Sequence, residues 1–84
     1  MDTQHIENGS TMFMDFTKLK SWYGDLDSLV LSNNMFSRCN KLTSFRGNLS
    51  NLKNGTHMFT GCSSLNEFSV NNLDNLENAY HMFA

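Results

Sequence analysis

The apolar residues of this chain recur with a period far longer than that of a helix or a strand. Met-Phe stands at Met12-Phe13, Met35-Phe36, Met58-Phe59 and Met82-Phe83, at spacings of 23, 23 and 24 residues. Three residues after each Phe comes Phe16, Cys39 or Cys62; three further on, Leu19, Leu42 or Leu65; three beyond that, Trp22, Phe45 or Phe68. Leucine pairs follow at Leu26/Leu29, Leu49/Leu52 and Leu73/Leu76, and the next Met comes six residues after the second Leu. An amphipathic helix would repeat at i, i+3, i+4 and i+7, and a half-buried strand would alternate. The unit MF-x-x-C-x-x-L-x-x-F-x-x-x-L-x-x-L-x5 does neither for long.

A step of three sustained around a closed unit suits a coil. Each circuit turns its apolar side chains inward, and no single circuit can bury them alone, so successive circuits must stack. The pattern therefore predicts one repeat solenoid over 1–84, with units near 6–28, 29–51 and 52–75 and a partial unit at 76–84. The 24-residue copy owes its extra residue to FSVNNL, where FRGNL and WYGDL stand in the other units. That insertion is expected on a loop, where a stack tolerates it best. Asn8-Gly9 and Asn54-Gly55 share a register before Met-Phe, with Asn78-Ala79 a weaker version and Leu31-Ser32 a departure. Asn-Gly favours positive φ, which predicts tight turns there.

Composition narrows the field. Asn and Ser together number 22 of 84 residues and Pro is absent, a bias that fits side chains pairing with turn backbone rather than disorder, because the apolar residues are periodic. Six basic and eight acidic residues are mixed along the chain, with no basic stripe for a phosphate backbone and no polybasic tail for anionic lipid. Neither nucleic acid nor membrane insertion is expected. The apolar runs are far short of a bilayer span, and the opening MDTQHIENGS lacks the apolar core of a signal peptide.

NGTHMFTGCSSLNEF and SNNMFSRCNKLTSF resemble the BspA-like bacterial leucine-rich repeats, whose unit carries an Ala- or Met-Phe pair and then Cys, Leu and an apolar residue at three-residue steps. The resemblance runs from about Ile6 to Phe83. The first unit departs from it by placing Phe16 where Cys is expected, and the family's frequent proline after the strand is missing. Related repeats occur in bacteriophage tail and fibre proteins. The resemblance implies a right-handed solenoid with one short parallel strand per unit, near Leu19–Tyr23, Leu42–Arg46 and Leu65–Ser69, and turns or short helical segments on the convex side. It also implies a non-enzymatic adhesion or recognition module, on a bacterial cell surface or a phage virion, with a protein or glycan ligand and no cofactor.

The outward face of such strands is where solenoids usually bind. One residue either side of the inward aromatic gives Ser21 and Tyr23, Ser44 and Arg46, Glu67 and Ser69; Tyr and Arg are types that favour interfaces. The plainer reading is a solvated face with an Arg46–Glu67 diagonal pair. Cys39 and Cys62 stand one stacking step of about 5 Å apart, but equivalent side chains point the same way, and Phe16 at their register marks a buried apolar slot, so reduced core thiols are expected. His57 and His81 lack the close local pairing of zinc ligands and read as exposed turn residues, like Thr11 and Asn34 at the same register. His57 and Cys62 make a poor nucleophile pair, with the thiol inward and no third group to orient the base. The sequons at Asn8, Asn48 and Asn54 follow from an Asn- and Ser-rich chain. Neither terminus carries a polar capping repeat, which predicts either a longer array or self-association through the ends, the alternative being an assembly segment that packs end to end.

Overall fold

The computed structural model describes residues 5–84, so the first four residues of the 1–84 segment lie outside the described residues. Three short strands, β1 (Ser21–Asp25), β2 (Ser44–Asn48) and β3 (Glu67–Val70), form a parallel sheet in the order β1-β2-β3, with no helix among the described residues. The register pairs Trp22 with Phe45 and Phe45 with Phe68, so each residue lies beside its equivalent in the next repeat. A second line of parallel bridges, Asn8 to Leu31 to Asn54 to Asn78, does the same elsewhere in the unit. Turns connect these two lines.

The strands begin two residues later than the sequence suggests, and the reason lies in the rhythm of three. The N–H of Leu19, Leu42 and Leu65 donates to the carbonyl three residues back, on Phe16, Cys39 and Cys62, at 3.1, 3.1 and 3.2 Å. Met35 and Cys39 do likewise, to Ser32 and Phe36. The triplet spacing is thus a chain of i to i−3 turns, each presenting one apolar side chain inward, and extended backbone starts only where that chain ends. Between these bonds, the N–H groups of Asn34, Phe36 and Arg38 donate to the carbonyls of Thr56, Met58 and Thr60 in the following unit.

This path uses positive φ at two registers per unit: Thr11, Asn34, His57 and His81 at one, Asp15, Arg38 and Gly61 at the other. For a residue with a Cβ the left-handed region costs roughly 1–2 kcal/mol, which the bonds to the neighbouring unit offset. The Asn-Gly positions are different from expectation. Gly9 and Gly55 are absent from the positive-φ set; they are buried, and a Cβ there would meet the Met35 sulfur at 3.0 Å and the Met82 sulfur at 3.3 Å. They are required to be small, which is why Ser32, fully buried with its hydroxyl donating to the Asn54 carbonyl at 3.2 Å, stands in the same place.

Two aromatic columns fill the interior. Phe13, Phe36, Phe59 and Phe83 stack at 5.3, 5.4 and 5.4 Å with near-parallel planes, and Trp22, Phe45 and Phe68 stack at 5.3 and 5.6 Å. The columns interlock edge to face: Phe45 meets Phe36 at 5.3 Å and 75°, and Phe59 at 5.0 Å and 74°. Offset and edge-on rings suit the aromatic quadrupole better than a face-on sandwich. Room for the Trp22 indole comes from Gly24 and Gly47, where an added Cβ would lie 2.9 and 3.4 Å from the ring. Leu26, Leu29, Leu49 and Leu52 complete the core, fully buried.

The central unit is dry while the flanking ones are partly open. Cys39, Leu42 and Phe45 are buried, whereas Cys62, Leu65 and Phe68 are half-buried. Phe16, expected in a buried slot, is 51% exposed and touches Phe13 edge-on at 5.5 Å. At that register the inward-pointing group bonds back to the preceding unit: Cys39 Sγ donates to the Phe13 carbonyl and Cys62 Sγ to the Phe36 carbonyl, each at 3.1 Å. Phe16, a hydrocarbon side chain with no donor for such a bond, lies on the outside.

The abundance of Asn and Asp has a local cause. The side-chain oxygens of Asn8, Asn54 and Asn78 accept the N–H two residues on, and so do those of Asp25, Asn48 and Asn72 at a second register. Each caps one corner in an Asx turn. The extra residue of the third repeat falls just past β3, as a loop position should, and there the Asn71 side chain accepts the Leu49 N–H at 3.1 Å.

Candidate recognition face

With Trp22, Phe45 and Phe68 turned inward, the alternation of a strand puts their neighbours outward. Ser21, Tyr23, Arg46, Glu67 and Ser69 are exposed as expected. Ser44 is not: it is 7% exposed, because the Tyr23 side chain leans across β2 and its hydroxyl meets Ser44 Oγ at 3.1 Å. The Arg46 guanidinium carbon lies 5.6 Å from the centroid of the same ring. Tyr23 is thereby held from two sides while 61% of it faces solvent. Arg46 uses its charge on this ring, and no Arg46–Glu67 ion pair forms among the described residues.

The face thus divides into an ordered aromatic and cationic patch over β1 and β2, and a Glu67–Ser69 end over β3. The signal for the patch was the 23-residue spacing of Tyr23 and Arg46; the closure over Ser44 depends on a rotamer that spacing does not reveal. A second cross-repeat pair was legible in the same way and was missed. Asp15 and Arg38, 23 residues apart and opposite in charge, form a two-pronged ion pair on the turns, Nε to Oδ1 at 2.6 Å and Nη2 to Oδ2 at 2.8 Å. The carboxylate holds the Arg38 guanidinium above its already high ordinary value. Both side chains are more than half exposed, so the pair is a surface feature of small weight.

The thiols and imidazoles are tied into the scaffold. Cys39 and Cys62 are both free, and burial raises both thiols, that of Cys62 to about 11, which keeps them protonated at neutral pH. His57 Nδ1 lies 3.0 Å from Thr60 Oγ1, and the His57 ring stacks on His81 at 5.3 Å and meets Tyr80 edge-on at 5.6 Å. Among the described residues no three His, Cys, Asp or Glu side chains converge as a metal site. No helix of the described residues is long and apolar enough to cross a membrane.

No protein-family model, curated protein or solved structure matches the chain.

Proposed function

We propose that this chain is a non-enzymatic recognition module, a segment of a right-handed BspA-like leucine-rich-repeat solenoid in a larger bacterial or phage surface protein. It binds a protein or glycan partner through the outward face of its strands. The observation that carries this reading is Tyr23, exposed over most of its surface yet pinned by Ser44 and Arg46. A rigid aromatic beside a cation loses little conformational entropy when a ligand covers it. The in-register pairing of three repeats supports the solenoid, since each repeat meets its neighbour through the same positions.

A panel of surface glycans and displayed surface proteins, screened with the intact chain and with Tyr23→Ala and Arg46→Ala, tests it. The expected result is a bound class lost in both variants while their circular dichroism is unchanged. Equal binding by folded Tyr23→Ala would refute the assignment of this face. A second reading, an assembly segment that packs end to end with neighbouring repeats or subunits, draws support from apolar surface at the β3 end, where Phe83 is 55% exposed.

A further inference from the structure

Charges that are mixed along the chain are sorted by the fold. Because the strands are parallel and in register, their starts lie together and so do their ends. The starts collect Lys18, Lys20 and Lys41, and the ends collect Asp25, Asp27 and Asp74, all six exposed. Lys18 and Lys41 share a register, and backbone pairing continues up to that end of the sheet, where the Thr43 N–H donates to the Lys20 carbonyl at 2.7 Å. Among the described residues neither these lysines nor Arg46 is in an ion pair, the one such pair being Asp15–Arg38. The carboxylate nearest the starts is Glu67, on β3, two strands from Tyr23.

Like charges in adjacent layers repel, and an anion laid across them relieves the repulsion. Arg46, on β2 between the lysines and the acidic ends, holds its guanidinium 5.6 Å from the Tyr23 centroid, and such a planar fork of N–H donors matches a carboxylate. The ring is 61% exposed and fixed through its hydroxyl at Ser44, a flat surface for the C–H side of a sugar. A carboxylated sugar uses the cationic cluster, the fork and the ring at once; an acidic peptide uses only the first two. Single-stranded nucleic acid binds on successive aromatic platforms, whereas the positions beside Tyr23 on β2 and β3 are Arg46 and Ser69.

We propose that the strand face takes an acidic glycan, one sugar ring stacked on Tyr23 with its carboxylate on Arg46, and the next carboxylate lying toward Lys18, Lys20 and Lys41. This rests on the reading of the strand face as the binding surface and names the chemistry that it selects.

The probes are tetragalacturonate and a sialic acid tetramer, each titrated into the full 84-residue chain and followed by a nitrogen–proton correlation spectrum. Saturable shifts are expected with at least one of them, centred on Tyr23 and Arg46 and extending to Lys18, Lys20 and Lys41. Methyl-esterified tetragalacturonate, which keeps the rings and loses the charge, should bind at least tenfold more weakly than the free acid. Tyr23→Ala should lose at least tenfold, the double variant Lys18→Gln/Lys41→Gln several-fold, and Asp74→Asn nothing, with circular dichroism unchanged in all three. Absence of saturation by both acids at millimolar concentration, equal affinity for the ester, or equal affinity for a tetraglutamate peptide or a thymidine tetranucleotide would each overturn the acidic-glycan assignment. The recognition face itself would survive those results if another ligand still depended on Tyr23. Binding of the acids that is indifferent to Tyr23→Ala, with shifts away from β1 and β2, would sink both.

Discussion

Replacing Phe36 by Ala removes a ring that, like Phe45 and Phe59, touches both columns on both sides. Phe36 is fully buried, stacked between Phe13 and Phe59 at 5.3 and 5.4 Å, with Trp22 edge-on at 5.8 Å and Phe45 at 5.3 Å. Deleting a buried phenyl ring costs about 3–5 kcal/mol through lost transfer energy and the cavity left behind. Four aromatic partners, each worth about 0.5–1.5 kcal/mol beyond area, place Phe36 at the upper end. Phe83 is the internal control: same residue type, same register, but 55% exposed, with a stacked partner on one side only and one edge contact. Phe83→Ala should cost under about 1.5 kcal/mol. An 84-residue domain holds roughly 4–12 kcal/mol in total, so Phe36→Ala is expected to be largely unfolded or to melt at a much lower urea concentration. Urea titration followed through the single tryptophan, Trp22, which stacks on Phe45, reads both variants. Equal losses in the two, or a loss below about 1.5 kcal/mol for Phe36→Ala, would refute the interlocked-column argument.

Further outcomes follow from the turns and thiols. Native protein should resist maleimide at Cys39 and label at both cysteines after denaturation; prompt native labelling of Cys39 would mean that its Sγ is not held against the Phe13 carbonyl. The Cys62 thiol is raised from its ordinary value near 9 to about 11, so its contribution to stability is fully present below about pH 9 and is lost as the pH rises through 11. Urea midpoints at pH 8 and at pH 11 should fall accordingly, and the fall should shrink in Cys62→Ala. Thr11 is a β-branched residue at φ 61°, and Thr11→Asn should gain about 0.5–1 kcal/mol because Asn tolerates the left-handed region. A destabilised Thr11→Asn protein would mean that the turn is not strained as described.

What the sequence made legible was whatever depends on the period alone. The spacing of the Met-Phe pairs is the register of the sheet, and the residues at three-residue steps are those that face inward. Three features stayed hidden because they depend on what surrounds a residue. The strands start after Lys20, Thr43 and Asn66 because the triplet steps are themselves hydrogen-bonded turns, a fact that apolar spacing does not encode. Positive φ falls on Thr11, Asn34, His57 and His81, none of them Gly, while the glycines of the Asn-Gly pairs answer to methionine sulfurs one unit away. Phe16 signalled a buried slot by its type, yet its phenyl ring cannot make the thiol-to-carbonyl bond that Cys39 and Cys62 make at that register, and it lies 51% exposed. On the candidate face, five of the six positions were correctly read as exposed, and Ser44 was lost to the Tyr23 ring.

The account rests on equivalent residues of successive repeats lying side by side in parallel. The most direct test is a set of backbone nuclear Overhauser contacts in uniformly labelled protein. The expected result is cross-strand connectivity linking Tyr23 to Arg46 and Arg46 to Ser69, in the parallel pattern, together with contacts linking Phe13, Phe36 and Phe59 across the turns. Connectivities that are antiparallel, or displaced by even one residue from these pairs, would contradict it, since a one-residue slip would turn Tyr23 and Arg46 inward and the aromatic column out.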